Sequence, residues 1–176
     1  MDLNKFTEKA QGALTEAQNI ATRHQHQTVD VEHITLALME QEGGLVARLF
    51  EKAKVPPDLL KAKVEEELNR LPRVSGDAAT SQGLYVTQRL NKLLVKAQDE
   101  AKRLKDEYVS VEHLLLSLAS SGGAVTDAMH KAGATPAALE QALATVRGPH
   151  TVTDQDPEGK YQALQRYARD LTEVAR

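Results

Sequence analysis

Apolar residues recur along this chain at spacings of three and four, the pattern of helices that bury one face. Leu3, Phe6, Ala10, Ala13, Leu14, Ala17 and Ala21 mark a first amphipathic helix, and Val86, Leu90, Leu93, Leu94, Ala97, Ala101 and Leu104 mark another. A short polar stretch and a second helix follow each. Asp30 and Ser110 stand at N-cap positions, where a side-chain oxygen accepts from free backbone N–H groups. Val29 with Ile34, and Val109 with Leu114, have hydrophobic-staple spacing about those caps. Gly43-Gly44 and Gly122-Gly123 read as helix stops, since glycine enters the left-handed conformation cheaply. A short third helix follows in each half, including Leu49-Phe50 or Ala128-Met129. Val55-Pro56-Pro57 and Ala134-Thr135-Pro136 then open a fourth, with Thr135 as cap.

The two halves of this pattern are copies. Val29-Asp30-Val31-Glu32-His33 returns as Val109-Ser110-Val111-Glu112-His113. At the same offset Thr7, Leu14, Ala17, Gln18, Ala21 and Arg23 return as Thr87, Leu94, Ala97, Gln98, Ala101 and Arg103. Duplication fixes the architecture. The expected fold is all-α: two pseudo-symmetric four-helix repeats forming one eight-helix globular domain, with a seam between them. Repeat one spans about residues 1–71 and repeat two about 84–146, so the domain covers 1–146. Residues 72–83, rich in Gly, Ser, Thr and Ala, are expected to be a mobile join. Residues 147–160, with Gly148-Pro149, Pro157 and Gly159, read as a mobile linker leaving the domain. Beyond it, Tyr161, Leu164, Ala168, Leu171 and Ala175 form the stripe of a short helix over 161–176. One such helix is marginal alone. Its partner is expected in a following domain; the alternative is a final helix folded back on the body.

Composition narrows the chemistry. Of 176 residues 41% are hydrophobic and only 3% aromatic, so the core must be built from Leu, Val, Ile and Ala. Cysteine is absent, which excludes a disulfide scaffold and thiolate metal sites. A net charge of −3 carries no nucleic-acid footprint. No apolar run has the length of a membrane span and no secretory segment is legible, so a cytoplasmic protein without membrane or nucleic-acid partners is expected.

Candidate catalytic groups lack companions. His24 and His26 are two apart, which suits neither one helix face nor a zincin pattern. His33 and His113, three past the caps, read as structural residues contacting their own turns. No phosphate-binding loop occurs, and the serines lie in no nucleophile-elbow context. The positive clue is a duplicated set: Thr7 and Thr87 near the start of the first helix of each copy, Glu32 and Glu112 at the start of the second. Each carboxylate has a structural explanation, since it complements the helix dipole by roughly 0.3–1 kcal/mol. Its functional reading is a receptor for cationic or guanidinium groups of a bound polypeptide.

The segment Phe6-Thr7-Glu8-Lys9-Ala10, the paired Val-Glu-His-Ile/Leu at Val31–Ile34 and Val111–Leu114, and Gly-Gly before a short helix resemble the Clp N-domain. That domain is the double four-helix repeat at the front of AAA+ unfoldases and disaggregases. Leu68-Asn69-Arg70-Leu71-Pro72-Arg73-Val74 and the tail Gln162-Ala163-Leu164-Gln165-Arg166-Tyr167 are similar to the ClpB branch. The resemblance implies a substrate-engaging domain of an ATP-dependent disaggregase that binds unfolded or aggregated polypeptide. It would pass that polypeptide to a hexameric AAA+ ring working with the DnaK system, and residues 161–176 would begin the segment leading to the first ATPase module. ATP and Mg would belong to those modules, with no cofactor, metal or catalytic residue in this chain. The resemblance places a substrate surface at Thr7, Asp106 and Glu112. From the ClpC branch it implies that Glu32 and Glu112 receive phosphorylated arginine. The alternative is an adaptor- or phosphoarginine-recognising docking module; a hydrolase with an assembled site has no motif behind it. The polar side of the fifth helix reads Lys92, Lys96, Asp99, Glu100 and Arg103, which points to electrostatic recognition with isolated aliphatics such as Val95 or Leu115 contributing.

Overall fold

The computed structural model describes residues 3–41, 44–74, 84–148, 150–153 and 155–158. Among them are eight α-helices: α1 (Glu8–Arg23), α2 (Val31–Glu40), α3 (Leu45–Ala53), α4 (Pro57–Asn69), α5 (Gln88–Arg103), α6 (Val111–Ser120), α7 (Ala124–Ala132) and α8 (Pro136–Arg147). A short 3-10 turn, Leu3–Lys5, precedes them. Helices α1–α4 and α5–α8 are the two expected repeats. Most of the join expected at 72–83, and the helix expected over 161–176, lie outside the described residues.

Starts of the helices follow from the caps. Thr7, Thr87 and Thr135 each accept from the backbone N–H three residues on, at 3.2 Å. Each such cap contributes about 1 kcal/mol. Asp30 and Ser110 cap α2 and α6 in capping boxes whose third-position partner is a histidine. The Asp30 N–H donates to His33 Nδ1 at 2.9 Å and the Ser110 N–H to His113 Nδ1 at 2.8 Å. The staple residues Val29, Ile34, Val109 and Leu114 are buried.

One glycine pair behaves differently from expectation. Gly122 and Gly123 have φ of +84° and +98°, the left-handed side that favours glycine. Gly44, however, has φ −72° and serves as the N-cap of α3. Closeness explains this glycine: a Cβ there would lie 3.0 Å from the Gln41 carbonyl oxygen and 3.1 Å from the Gln41 Cβ. Gly43 lies outside the described residues.

The halves interlock rather than sit side by side. Helix α3 packs on α8 and α4 on α7, a reciprocal pairing because α3 corresponds to α7 and α4 to α8. Two backbone crossings that periodicity did not reveal tie the repeats further. Strand β1 (Thr28–Val29) pairs in parallel with β2 (Tyr85–Val86), and Phe6 forms a parallel bridge with Val109. Each crossing brings the start of one repeat's first helix to the start of the other repeat's second helix. A single buried cluster runs through both halves, from Phe6, Ile34, Leu49 and Leu60 to Leu90, Leu114 and Leu139.

Residues 147–148, 150–153 and 155–158 depart from the reading of a linker that leaves the domain. Arg147 closes α8, and Gly148 at φ +62° turns the chain back. Val152 is then fully buried on the body, and Pro157 and Glu158 are buried after it. An apolar side chain and a run of backbone hydrogen bonds hold this segment down, features that its Gly and Pro content conceals.

Candidate functional site

The two crossings create two stations along the seam. At each, the turn after a first helix aims one residue at the histidine of the following capping box. Gln25 and Lys105 hold φ of 59° and 61°, so the chain reverses, with His26 N–H donating to the Ala21 carbonyl and Asp106 N–H to that of Ala101. Residues 26 and 106 thereby face His33 and His113.

The first station gathers Thr7, Asp106 and Glu112. Thr7 N–H donates to the Val109 carbonyl at 2.9 Å, which fixes the start of α1 against the start of α6. Because His113 Nδ1 accepts from Ser110, its Nε2 carries the proton and donates to Asp106 Oδ2 at 2.7 Å. Arg147 also binds Asp106, and it reaches Glu112 Oε1 at 3.5 Å. Burial works against the Asp106 carboxylate, but His113, Arg147 and the Val152 N–H together hold it below its ordinary 3.8. Glu158 lies over the station. Its Oε2 accepts from the Thr7 hydroxyl at 2.7 Å and from the Val111 N–H at 3.2 Å. Burial, and then the Glu112 charge, push its carboxyl up to about 7. Glu112 Oε2 and Glu158 Oε1 are buried without a hydrogen-bond partner among the described residues.

The second station gathers Glu32 and Thr87. The Thr87 hydroxyl donates to Asp30 Oδ1 at 2.9 Å, while its N–H donates to the Val29 carbonyl at 3.1 Å. The Arg89 guanidinium bridges Asp30 at 2.7 Å and Glu32 at 3.0 Å. Burial and the neighbouring Asp30 charge raise Glu32 above its ordinary 4.5 despite Arg89. Here His26 takes the place of Asp106: its Nδ1 accepts from His33 Nε2 at 2.9 Å. Burial, then the neighbouring His26, lower His33 to about 4.

The five residues singled out from sequence thus divide between the stations, three at the first and two at the second. Thr7 and Glu112 are fully buried and the Asp106 side chain is inaccessible, so the first station is covered rather than open. Sequence reading missed Arg89, Arg147 and Glu158. Arg89 stands two residues past Thr87, a residue singled out from the sequence, and was within reach; Arg147 and Glu158 become relevant only through folding.

Elsewhere, the outer side of α5 is charged, with Val95 exposed at 52%. Leu115, in contrast, is buried at 2% and cannot serve a surface. A groove of about 500 Å³ between α4 and α7 is lined by Pro56, Leu59, Lys63, Asp127 and Lys131. Among the described residues no group of three or more His, Asp or Glu is placed to hold a metal ion, and no helix is long and apolar enough to cross a membrane.

The profile of the Clp repeat (R) N-terminal domain matches residues 5–132. The chain is 43% identical over 176 residues to the chaperone protein ClpB of Bacillus cereus and 48% identical over 179 residues to that of Nitratidesulfovibrio vulgaris. Each match takes in 100% of this chain but only 20% and 21% of those proteins, so the chain spans about a fifth of their length. The Hsp104 N-terminal domain of Candida albicans superposes with a TM-score of 0.75 at 18% identity, over 88% of this chain and 99% of that one. A ClpV N-domain solved with a VipB peptide superposes at 0.56 and 17% identity, over 80% of this chain and 85% of that one.

Proposed function

We propose, since the chain belongs to the Clp repeat N-terminal domain family, that it engages unfolded or aggregated polypeptide for an ATP-driven disaggregase. It would pass such clients to the AAA+ ring of its full-length protein. The observation that carries this reading is the pair of seam stations. Each sets a threonine-capped helix start beside buried carboxylates, and each holds a guanidinium, Arg89 at one and Arg147 at the other. An extended client presents the same charged groups, and charge-assisted hydrogen bonds supply affinity and register. Exposed Leu59, Tyr85 and Val95 offer apolar contacts on the surface of the same domain. The ClpV N-domain solved with a VipB peptide supports peptide capture by this fold. ATP and Mg would serve modules beyond this chain, in a cytoplasmic machine that works with the DnaK system.

Binding is expected to be weak, with Kd about micromolar or above, because a module that hands its cargo on gains from tethering rather than from tight contacts. A titration with a labelled unfolded polypeptide, followed residue by residue by NMR, places the site and measures its strength. Glu32→Gln and Glu112→Gln should each weaken binding by about three- to tenfold, with helicity checked by circular dichroism. Unchanged binding by both folded variants removes these residues from the site. A second reading, docking of one defined partner segment, is favoured by the same ClpV–VipB pairing. Saturation by one sequence, phosphoarginine-bearing peptides included, with no response to unrelated unfolded chains, decides for it.

A further inference from the structure

The first station is closed by the chain that follows α8, and the closure is specific. Residues 150–153 and 155–158 are tied down at both edges of the Phe6–Val109 crossing. The Glu107 N–H donates to the Val152 carbonyl at 2.8 Å, and the Val152 N–H returns a bond to Asp106 Oδ1 at 2.9 Å. On the other side the Glu8 N–H, the first of α1, donates to the Gln155 carbonyl at 2.9 Å. Beyond these anchors the buried Glu158 carboxylate fills a cradle made of the Thr7 hydroxyl and the Val111 N–H. Such an arrangement satisfies two free donors at the starts of two helices with one acidic side chain. Among the described residues the second station has no equivalent acidic plug, and its Arg89, 53% exposed, bridges Asp30 and Glu32.

We propose that residues 150–153 and 155–158 form an intramolecular strap that competes with clients for the first station, with Glu158 as the residue that plugs it. This rests on the client-binding reading above and adds that the first station opens only when the strap leaves. Two further details support it. The plug carries a buried, unbonded oxygen, as does Glu112 at Oε2, and the Glu112 charge opposes ionisation of the plug, so ionising Glu158 weakens the docked state. The segment also continues directly from Arg147, which grips Asp106 and Glu112, so strap release and rearrangement of the station acids are mechanically joined.

The test uses the full chain and two variants. Amide hydrogen exchange at Glu8, Glu107 and Val152 reads strap docking whether or not any client is present. Glu158→Ala should speed exchange at these three amides by about tenfold or more, while Thr87 in the second station stays unchanged. Glu158→Gln, which keeps both accepting bonds and removes the repulsion from Glu112, should exchange no faster than the native chain. For a labelled unfolded polypeptide, a face occupied by the strap in nine molecules of ten gives an apparent Kd about tenfold weaker than the open face. Glu158→Ala should therefore bind such a client up to about tenfold tighter. Unchanged exchange in Glu158→Ala overturns the strap. Faster exchange with unaltered client affinity overturns the competition. Faster exchange with no client binding by either chain refutes the client reading and leaves the strap standing as a cover of the station.

Discussion

His33 and His113 occupy the same place in their repeats yet meet opposite partners. His113 donates to a carboxylate, whereas His33 donates to another histidine, is fully buried and falls from 6.5 to about 4. A histidine held neutral in this way contributes fully above pH 6.5 and loses its contribution as pH falls toward 4, because only the unfolded chain takes up the proton. The displacement corresponds to about 3 kcal/mol. Glutamine, the usual partner in a capping box, can accept from Asp30 and donate to His26 without titrating. Denaturant unfolding of the native chain and of His33→Gln at pH 7 and pH 4.5 should show the native chain losing about 2 kcal/mol or more relative to the variant. Glu158 has the opposite sign. Raised from 4.5 to about 7, it favours the docked strap most below pH 4.5 and loses that advantage as pH rises to about 7. Amide shifts of Glu8 and Val152 should move toward undocked values across that window, and Glu158→Gln should abolish the movement.

At the level of elements, corresponding positions reveal where the chain is strained. Helix α3 ends in Lys54 at φ 59°, ψ 39°, whereas its counterpart α7 ends in Gly133 at φ 98°. A left-handed side chain costs roughly 1–2 kcal/mol that glycine avoids, offset in part by the greater freedom of glycine when unfolded. Lys54→Gly should therefore raise unfolding stability by about 0.5–1 kcal/mol in thermal or urea melts. The same comparison explains what the sequence made legible. Caps at Asp30, Ser110 and Thr135 were readable because capping is decided within three residues. The role of Gly44 was not, since its reason is a contact with Gln41 rather than its own φ. Thr7, Glu32, Thr87, Asp106 and Glu112 were found through duplication and family likeness. Their partners Arg147 and Glu158 were hidden, because pairings such as Glu112 with Arg147 exist only after α6 and α8 have packed. Glu158 also lies in a Gly- and Pro-containing stretch whose composition resembles a tether.

For the whole molecule, the continuous core and the reciprocal helix pairing make the two repeats one cooperative unit. Ile34→Ala in one repeat and Leu114→Ala in the other remove fully buried equivalents and should each cost about 2–5 kcal/mol. Each should lower a single transition rather than split it, with calorimetric and van't Hoff enthalpies equal. Two transitions would mean lobes that fold alone. The crossings at Phe6–Val109 and at β1–β2 carry this interdependence further. Neither half owns a complete station, for each lends the other a helix start. A gene divided between residues 74 and 84 would accordingly yield two inert fragments that restore one another on mixing, a natural format for fragment complementation.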